Sequence, residues 1–296
     1  MFCLLQISLL MACSNSSINS PLIVNNRNRI TVEDTISKKE IDLKKYYDEY
    51  ALDGMFALYD PEKDVYKIFN KKYFTQYATP ASTFNITTSL ISMEEGILKN
   101  RGSIISFDGF HKSKYADQNK DLRLEFAFRR NIDWVFLSLR KQIGTERLQK
   151  WLTRLKFGNM AVPATFDTIK IENNKADTFW VVPSTLRITP AQQLRYMQQL
   201  RNEMLPFSKK NIQEVKEMMY LKEINGYKVY GKQGSYLLKT EGKYIGWLIG
   251  WVEKNDKTLF YINYLQTPDL KHPSIANAQK EIPYKIFQNI DDYLIK

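Results

Sequence analysis

Ser82 and Asn85, three positions apart in the stretch PASTFNITTSL, pose the first chemical question of this chain. A serine hydroxyl is a poor nucleophile at its free pKa and needs an adjacent group to take its proton. On a helix, a residue three positions further on projects from the same face one turn later, within reach of that hydroxyl. A lysine there completes the pattern Ser-x-x-Lys. The carboxamide of Asn85 donates and accepts hydrogen bonds but takes no proton near neutral pH. The pair therefore reads as a nucleophile position without its base. Two other residues are candidates to supply one. Lys232, in Lys232-Gln233-Gly234-Ser235, would serve if burial depressed its pKa. Asp133 would serve as a carboxylate, although an aspartate opening a helical run is more simply a cap. His111 and His272 lie in polar stretches with no cysteine or carboxylate at ligand spacing, so no metal is expected.

These residues must be held by a fold, and the chain is long enough to build one. With 296 residues, 44% hydrophobic and 13% aromatic, it can bury a sizeable core. The net charge of +11 invites a polyanion, but the basic residues are interleaved with acids, as in KKNIQEVKEMMYLKE, which describes a solvated surface and not a nucleic-acid face. GMFALYD and VYKIFN read as a hairpin across Pro61-Glu62-Lys63-Asp64. Residues 80 to 98 read as a core helix, apolar on more than one side. Further helices are predicted at 131 to 143, at 146 to 156, from a capping box at Thr189 with Pro190 at the first helical position, and from Ser208 to about 223. The last third alternates in period two, giving three antiparallel strands (YKVYGKQGSYLLKT, KYIGWLIGWVEK and KTLFYINYLQT) before a helix from about 275 to 294. Trp134, Trp151, Trp247 and Trp251 fall at apolar positions of these elements and are expected in the core. The pattern predicts an α+β domain with an antiparallel sheet packed against helices, at residues 41–296. Ahead of it, MFCLLQISLLMAC is too short to span a bilayer and resembles a lipoprotein signal over residues 1–12, which leaves Cys13 as the lipid-bearing residue, followed by a flexible tether at 13–40. Export to the periplasm or cell surface with a membrane anchor is the expectation, with no disulfide in the mature domain.

Six landmarks carry a resemblance: Gly54 to Asp60, Pro80-Ala-Ser-Thr-Phe84, Phe157-Gly-Asn159, Phe179-Trp180 with Leu186 to Pro190, Leu205-Pro-Phe207, and Gly246 to Glu253. In order and spacing they resemble the class D (oxacillinase-type) serine β-lactamases and the penicillin sensors related to them, over about residues 45 to 295. The resemblance implies a serine β-lactamase/transpeptidase-like fold that recognises penicillins, is acylated on a serine and hydrolyses the ester. It makes Ser82 the nucleophile and Trp180 the support of the base. That base is a lysine that becomes a carbamate in such enzymes, but its position is Asn85, so no carbamate can form and no other cofactor is implied. Asn131 stands at the proton-relay serine position, and Lys232, Gln233 and Gly234 replace Lys-Thr-Gly or Lys-Ser-Gly. Gln279 stands where an arginine pairs with the substrate carboxylate. The backbone amides of Ser82 and Ser235 would form the oxyanion hole. Two functions follow. One is a β-lactam-binding domain acylated at Ser82 with weak or absent turnover, a serine β-lactamase if active. The other is a catalytically inactive surface lipoprotein that binds a peptidoglycan fragment, a peptide or a protein through the former cleft.

Overall fold

The computed structural model of the chain describes residues 37–109, 113, 115–162, 171–172, 175–176, 186–238, 242–269 and 275–291. Cys13, His111, Trp180 and His272 lie outside them. In chain order the strands are β1 (Ser37–Glu40), β2 (Asp53–Asp60), β3 (Val65–Phe69), β4 (Ile104–Ile105), β5 (Leu122–Arg123), β6 (Ile171–Glu172), β7 (Lys175–Ala176), β8 (Tyr220–Ile224), β9 (Tyr227–Leu238), β10 (Lys243–Lys254) and β11 (Lys257–Thr267). The helices are α1 (Lys44–Asp48), α2 (Asn85–Glu94), α3 (Leu124–Arg130), α4 (Asp133–Ile143), α5 (Thr145–Leu155), α6 (Pro190–Arg201), α7 (Lys209–Met218) and α8 (Ile275–Gln288).

Seven strands form one sheet in the order β1-β3-β2-β11-β10-β9-β8. Strand alternation divides its two faces. Ile245, Trp247, Ile249 and Trp251 of β10 turn to one side and join a core with Ile86 and Leu90 of α2, Trp134 of α4 and Leu194 of α6. Leu248 and Val252 turn to the other side and join Tyr47 of α1 with Ile282 and Ile286 of α8. This is the α+β arrangement the sequence predicts, with helices on both faces of the sheet. All four of the tryptophans expected in the core are at most 7% exposed.

Several boundaries differ from the sequence reading, each for a local reason. The helix predicted over 80–98 is a 3-10 turn at Ala81–Phe84 followed by α2, which stops at Glu94 with Gly96 in the left-handed region. The helix predicted from 131 begins at Asp133, because Asn131 (φ 53°) turns the chain between α3 and α4. The helix capped by Ser208 ends at Met218, and Tyr220–Ile224 leaves it to pair with β9 across an Asn225-Gly226 turn whose residues both have positive φ. Residues 37–40, expected within the tether, form β1, which pairs parallel to β3, so one edge of the sheet is not antiparallel. Among the described residues, no helix is long and apolar enough to cross a membrane.

Candidate active site

The serine lies on a turn that the rest of the fold pins from several directions. Ala81, immediately before Ser82, has φ +49°, a conformation that costs a non-glycine residue and persists only where its surroundings over-determine it. Ala78 and Ile188 exchange backbone hydrogen bonds of 3.0 and 2.8 Å. Trp247 Nε1 donates to the Thr79 carbonyl at 2.9 Å. The buried Thr83 hydroxyl donates to the Pro80 carbonyl at 2.6 Å and accepts from Gln193 Nε2 of α6 at 2.8 Å. The Leu186–Ile188 strap is held in its turn by Asn159, whose Oδ1 accepts from the Arg187 amide at 2.9 Å. Gly158 has φ +56°, and a Cβ there would lie 2.1 Å from the Arg187 carbonyl oxygen. Thr83→Val keeps the shape of the side chain but removes both hydroxyl bonds and leaves the buried Gln193 amide without this partner. We expect it to cost about 1–3 kcal/mol, read as a lower melting temperature, and to slow any acylation of Ser82.

Strand β9 closes over this turn. Gly234 has no side chain because a Cβ there would stand 2.8 Å from the Thr83 amide nitrogen and 3.0 Å from the Pro80 carbonyl oxygen. The strand's backbone around Gly234 and Ser235 is thereby brought against the segment that carries Ser82. Ser82 is partly exposed, whereas Asn85, on the first residue of α2, is 2% exposed. One alternation before Gly234, on the same face of β9, stands Lys232, which is 3% exposed. Its Nζ donates to Asn131 Oδ1 and, at 3.3 Å, to the backbone carbonyl of Gln233. It also lies 4.7 Å from the centre of the Phe128 ring. Burial pushes its pKa down to about 7, opposed by Asp133 and reinforced by Lys280.

Asp133 is the first residue of α4 and not its cap; the cap position is Ile132, which makes no side-chain cap bond. Although part of its surface is open, the Asp133 carboxyl is hemmed in by protein. Desolvation raises its pKa, while Arg140 and Lys232 pull it down. Arg140 is buried and in turn held below the usual guanidinium range by desolvation, against the pull of Asp133.

On the opposite face of β9, Gln233 Nε2 donates to Gln279 Oε1 of α8 at 3.4 Å. Gln279 is 2% exposed and lies over Gly246, where an added Cβ would stand 2.7 Å from its Nε2. Asn263 Nδ2 donates to the Gln279 carbonyl at 3.2 Å and accepts from Tyr47 at 2.7 Å through its Oδ1, so the helix end is tied to the sheet. The half-buried Lys280 follows Gln279 on α8, and burial lowers its pKa.

Residues 54–290 match the penicillin-binding protein transpeptidase domain. The chain belongs to that family. Within it, the chain is 30% identical to the probable β-lactamase YbxI of Bacillus subtilis over 81% of this chain and 83% of that protein. It is also 30% identical to the regulatory protein BlaR1 of Bacillus licheniformis over 76% of this chain, but this match spans only 35% of that longer protein. The solved C-terminal domain of the Bacillus licheniformis BlaR penicillin receptor superposes with a TM-score of 0.76 at 26% identity, covering 88% of this chain and 98% of that one. The chain is thus a class D β-lactamase-like member of the transpeptidase-domain family.

Of the sequence-derived site residues in this transpeptidase-type domain, the fold brings Lys232 to Asn131, Gly234 to the turn of Ser82, and Gln233 to Gln279. Trp180 lies outside the described residues. Sequence reasoning assigned Trp247 to the core alone and passed over Thr83 and Gln193, although these three hold the serine's turn. Thr83 carried a faint signal as a polar residue inside a helix otherwise destined for burial. Phe128 carried none, because its ring meets the lysine only through the fold. Among the described residues, no group of three or more His, Cys, Asp or Glu is placed to hold a metal.

Proposed function

We propose that this domain binds β-lactams and is acylated by them at Ser82, and that it hydrolyses the resulting ester slowly or not at all. The observation that carries the reading is the asymmetry of the site. The serine's turn is strained, pinned and overlain by Gly234, as a working nucleophile requires, while the residue one helical turn away is a buried asparagine with no basic nitrogen. The similarity to both a penicillin receptor and a probable β-lactamase supports the same reading. Losing general-base help typically costs ~10²–10⁴ in rate, and deacylation, which must activate a water, bears that loss directly. Export and a lipid anchor on Cys13 belong to the same proposal, on the strength of Leu10-Met11-Ala12-Cys13.

A second reading is favoured by one observation. Gln279, which the resemblance aligns with the arginine that pairs with a substrate carboxylate, is a neutral side chain bonded to Gln233. A surface domain that holds a peptidoglycan fragment, a peptide or a protein non-covalently would have no need of that arginine.

Intact-protein mass spectrometry with excess benzylpenicillin decides between them. An adduct of the drug's mass that is absent in Ser82→Ala is the expected result, and its slow decay would distinguish a receptor from a hydrolase. No adduct on folded protein after long exposure would overturn the acylation reading. Asn85→Lys is expected to raise acylation only slightly, because Asn131, Gln233 and Gln279 are unchanged; recovery of rapid hydrolysis would show that position 85 alone was limiting.

A further inference from the structure

If Ser82 is acylated, its proton must go somewhere, and Asn85 cannot take it. Three titratable groups are coupled electrostatically on this side of the domain: Lys232, with Asp133 and Lys280 acting on it. Lys280, on α8, belongs to the glutamine corner across the sheet. Asp133 opens α4 and is committed electrostatically to Arg140 and Lys232. Lys232 is the one whose side chain departs from the same face of β9 as Gly234, two residues before it, and Gly234 is the residue against the Pro80–Thr83 backbone.

The hydrogen bonds of Lys232 describe an amine poised for this task. Its Nζ donates to two carbonyl oxygens, those of the Asn131 side chain and the Gln233 backbone. A neutral amine has two N–H bonds and one lone pair. Two acceptors use the two hydrogens, and the lone pair remains for a third partner. A serine at position 131 could turn its hydroxyl to donate or accept. The Asn131 oxygen can only accept, so it fixes the N–H side of the amine. Burial disfavours the ammonium form, while the face of Phe128 and the carboxyl of Asp133 favour it. The balance leaves both forms accessible near neutral pH.

We propose that Lys232, as the neutral amine, accepts the proton of Ser82 Oγ during acylation, the task residue 85 cannot perform in this chain. The inference rests on the reading that Ser82 is acylated. As Oγ bonds to the lactam carbonyl carbon, its proton passes to Lys232 Nζ and the negative charge collects on the carbonyl oxygen. When the ring C–N bond breaks, the ammonium returns that proton to the leaving nitrogen. The products are the ester on Ser82, the ring-opened amine and a neutral Lys232, ready for no further step unless water can reach it. Acylation then has a base and hydrolysis lacks the one at position 85, so a long-lived adduct is the expected result.

The test is the second-order rate constant for acylation of the full chain by benzylpenicillin, followed by mass spectrometry from about pH 5 to about pH 9. The expected profile rises close to tenfold per pH unit at the acid end and levels off above a midpoint near 7. Asp133→Asn removes a charge that favours the ammonium and should move the midpoint down. Lys280→Gln removes one that opposes it and should move the midpoint up. Lys232→Arg keeps the positive charge but cannot accept the proton, and should slow acylation at least about a hundredfold. A rate for Lys232→Arg within a few-fold of the unaltered protein would overturn the inference. So would a flat profile in the unaltered protein, a reading available even if the arginine variant fails to fold. An adduct with a flat profile sinks the role of Lys232 alone, whereas no adduct at any pH sinks the acylation reading with it.

Discussion

Replacing Gly234 by alanine is expected to slow acylation of Ser82 about a hundredfold while leaving the protein folded. The added methyl would stand 2.8 Å from the Thr83 nitrogen and 3.0 Å from both the Pro80 oxygen and Thr83 Cγ2. Two of these are backbone atoms and cannot swing aside. The turn carrying Ser82 or the strand must shift by several tenths of an ångström. The turn is the weaker partner, because β9 at Gly234 is held in its ladder with β10, where Gly234 pairs with Trp247. Overpacking of this kind costs about 1–3 kcal/mol. A misplacement approaching 1 Å at a reacting atom costs on the order of 10² in rate. Adduct formation over time and the melting temperature, measured on one preparation, separate the two effects. A variant that reacts as fast as the parent would show that Gly234 serves only as filler.

A larger loss of stability, with no direct effect on the chemistry, is expected from Gly250→Ala. Gly250 faces Gly231 across β10 and β9. A Cβ at 250 would sit 1.9 Å from the Tyr230 carbonyl oxygen, and one at 231 would sit 2.5 Å from the Tyr261 hydroxyl. The two glycines thin the sheet where Tyr261 reaches through to donate to Tyr230 at 3.0 Å. Both strands are interior, and neither can retreat without breaking ladders on its far side. The expected cost is about 3–5 kcal/mol, or roughly 10 °C in melting temperature. Urea unfolding with an unchanged slope would register it as a lower midpoint. A loss below about 1 kcal/mol would mean the pair tolerates a side chain.

The sequence made the elements most legible where a single local signal decides them. Thr189 forms the capping box with Gln192 that its spacing predicts, at 3.1 and 3.0 Å, with Pro190 opening the helix. The hairpin across Pro61–Asp64 and the three long strands were legible because alternation was sustained over many residues. The end of α7 was misjudged because MMYLKEI carries no breaker, and tertiary pairing overrode helical propensity. The signal that would have corrected it was Asn225-Gly226, a dipeptide suited to a hairpin turn, immediately before the long strand. For the site, the six landmarks located Ser82, and the resemblance they carry singled out Lys232, but they gave no reason for their own presence. The structure supplies one for Phe157-Gly158-Asn159 and Leu186-Arg187-Ile188, which brace each other and then the serine's turn. The contact between Asn131 and Lys232 joins residues 101 positions apart, beyond the reach of any spacing rule. The exchange of donors and acceptors among substituted residues was likewise hidden, since composition at one position says nothing about which atom a neighbour presents.

The placement of β1 has a mechanical meaning. It is a four-residue strand at one rim of the sheet, and four strands separate it from β9, which closes over Ser82. Load applied at Ser37 would meet the four-residue β1–β3 ladder first and then, through α1, strand β2. The turn of Ser82 and the strand over it come later in that order of yielding, with β11 and β10 between β2 and β9.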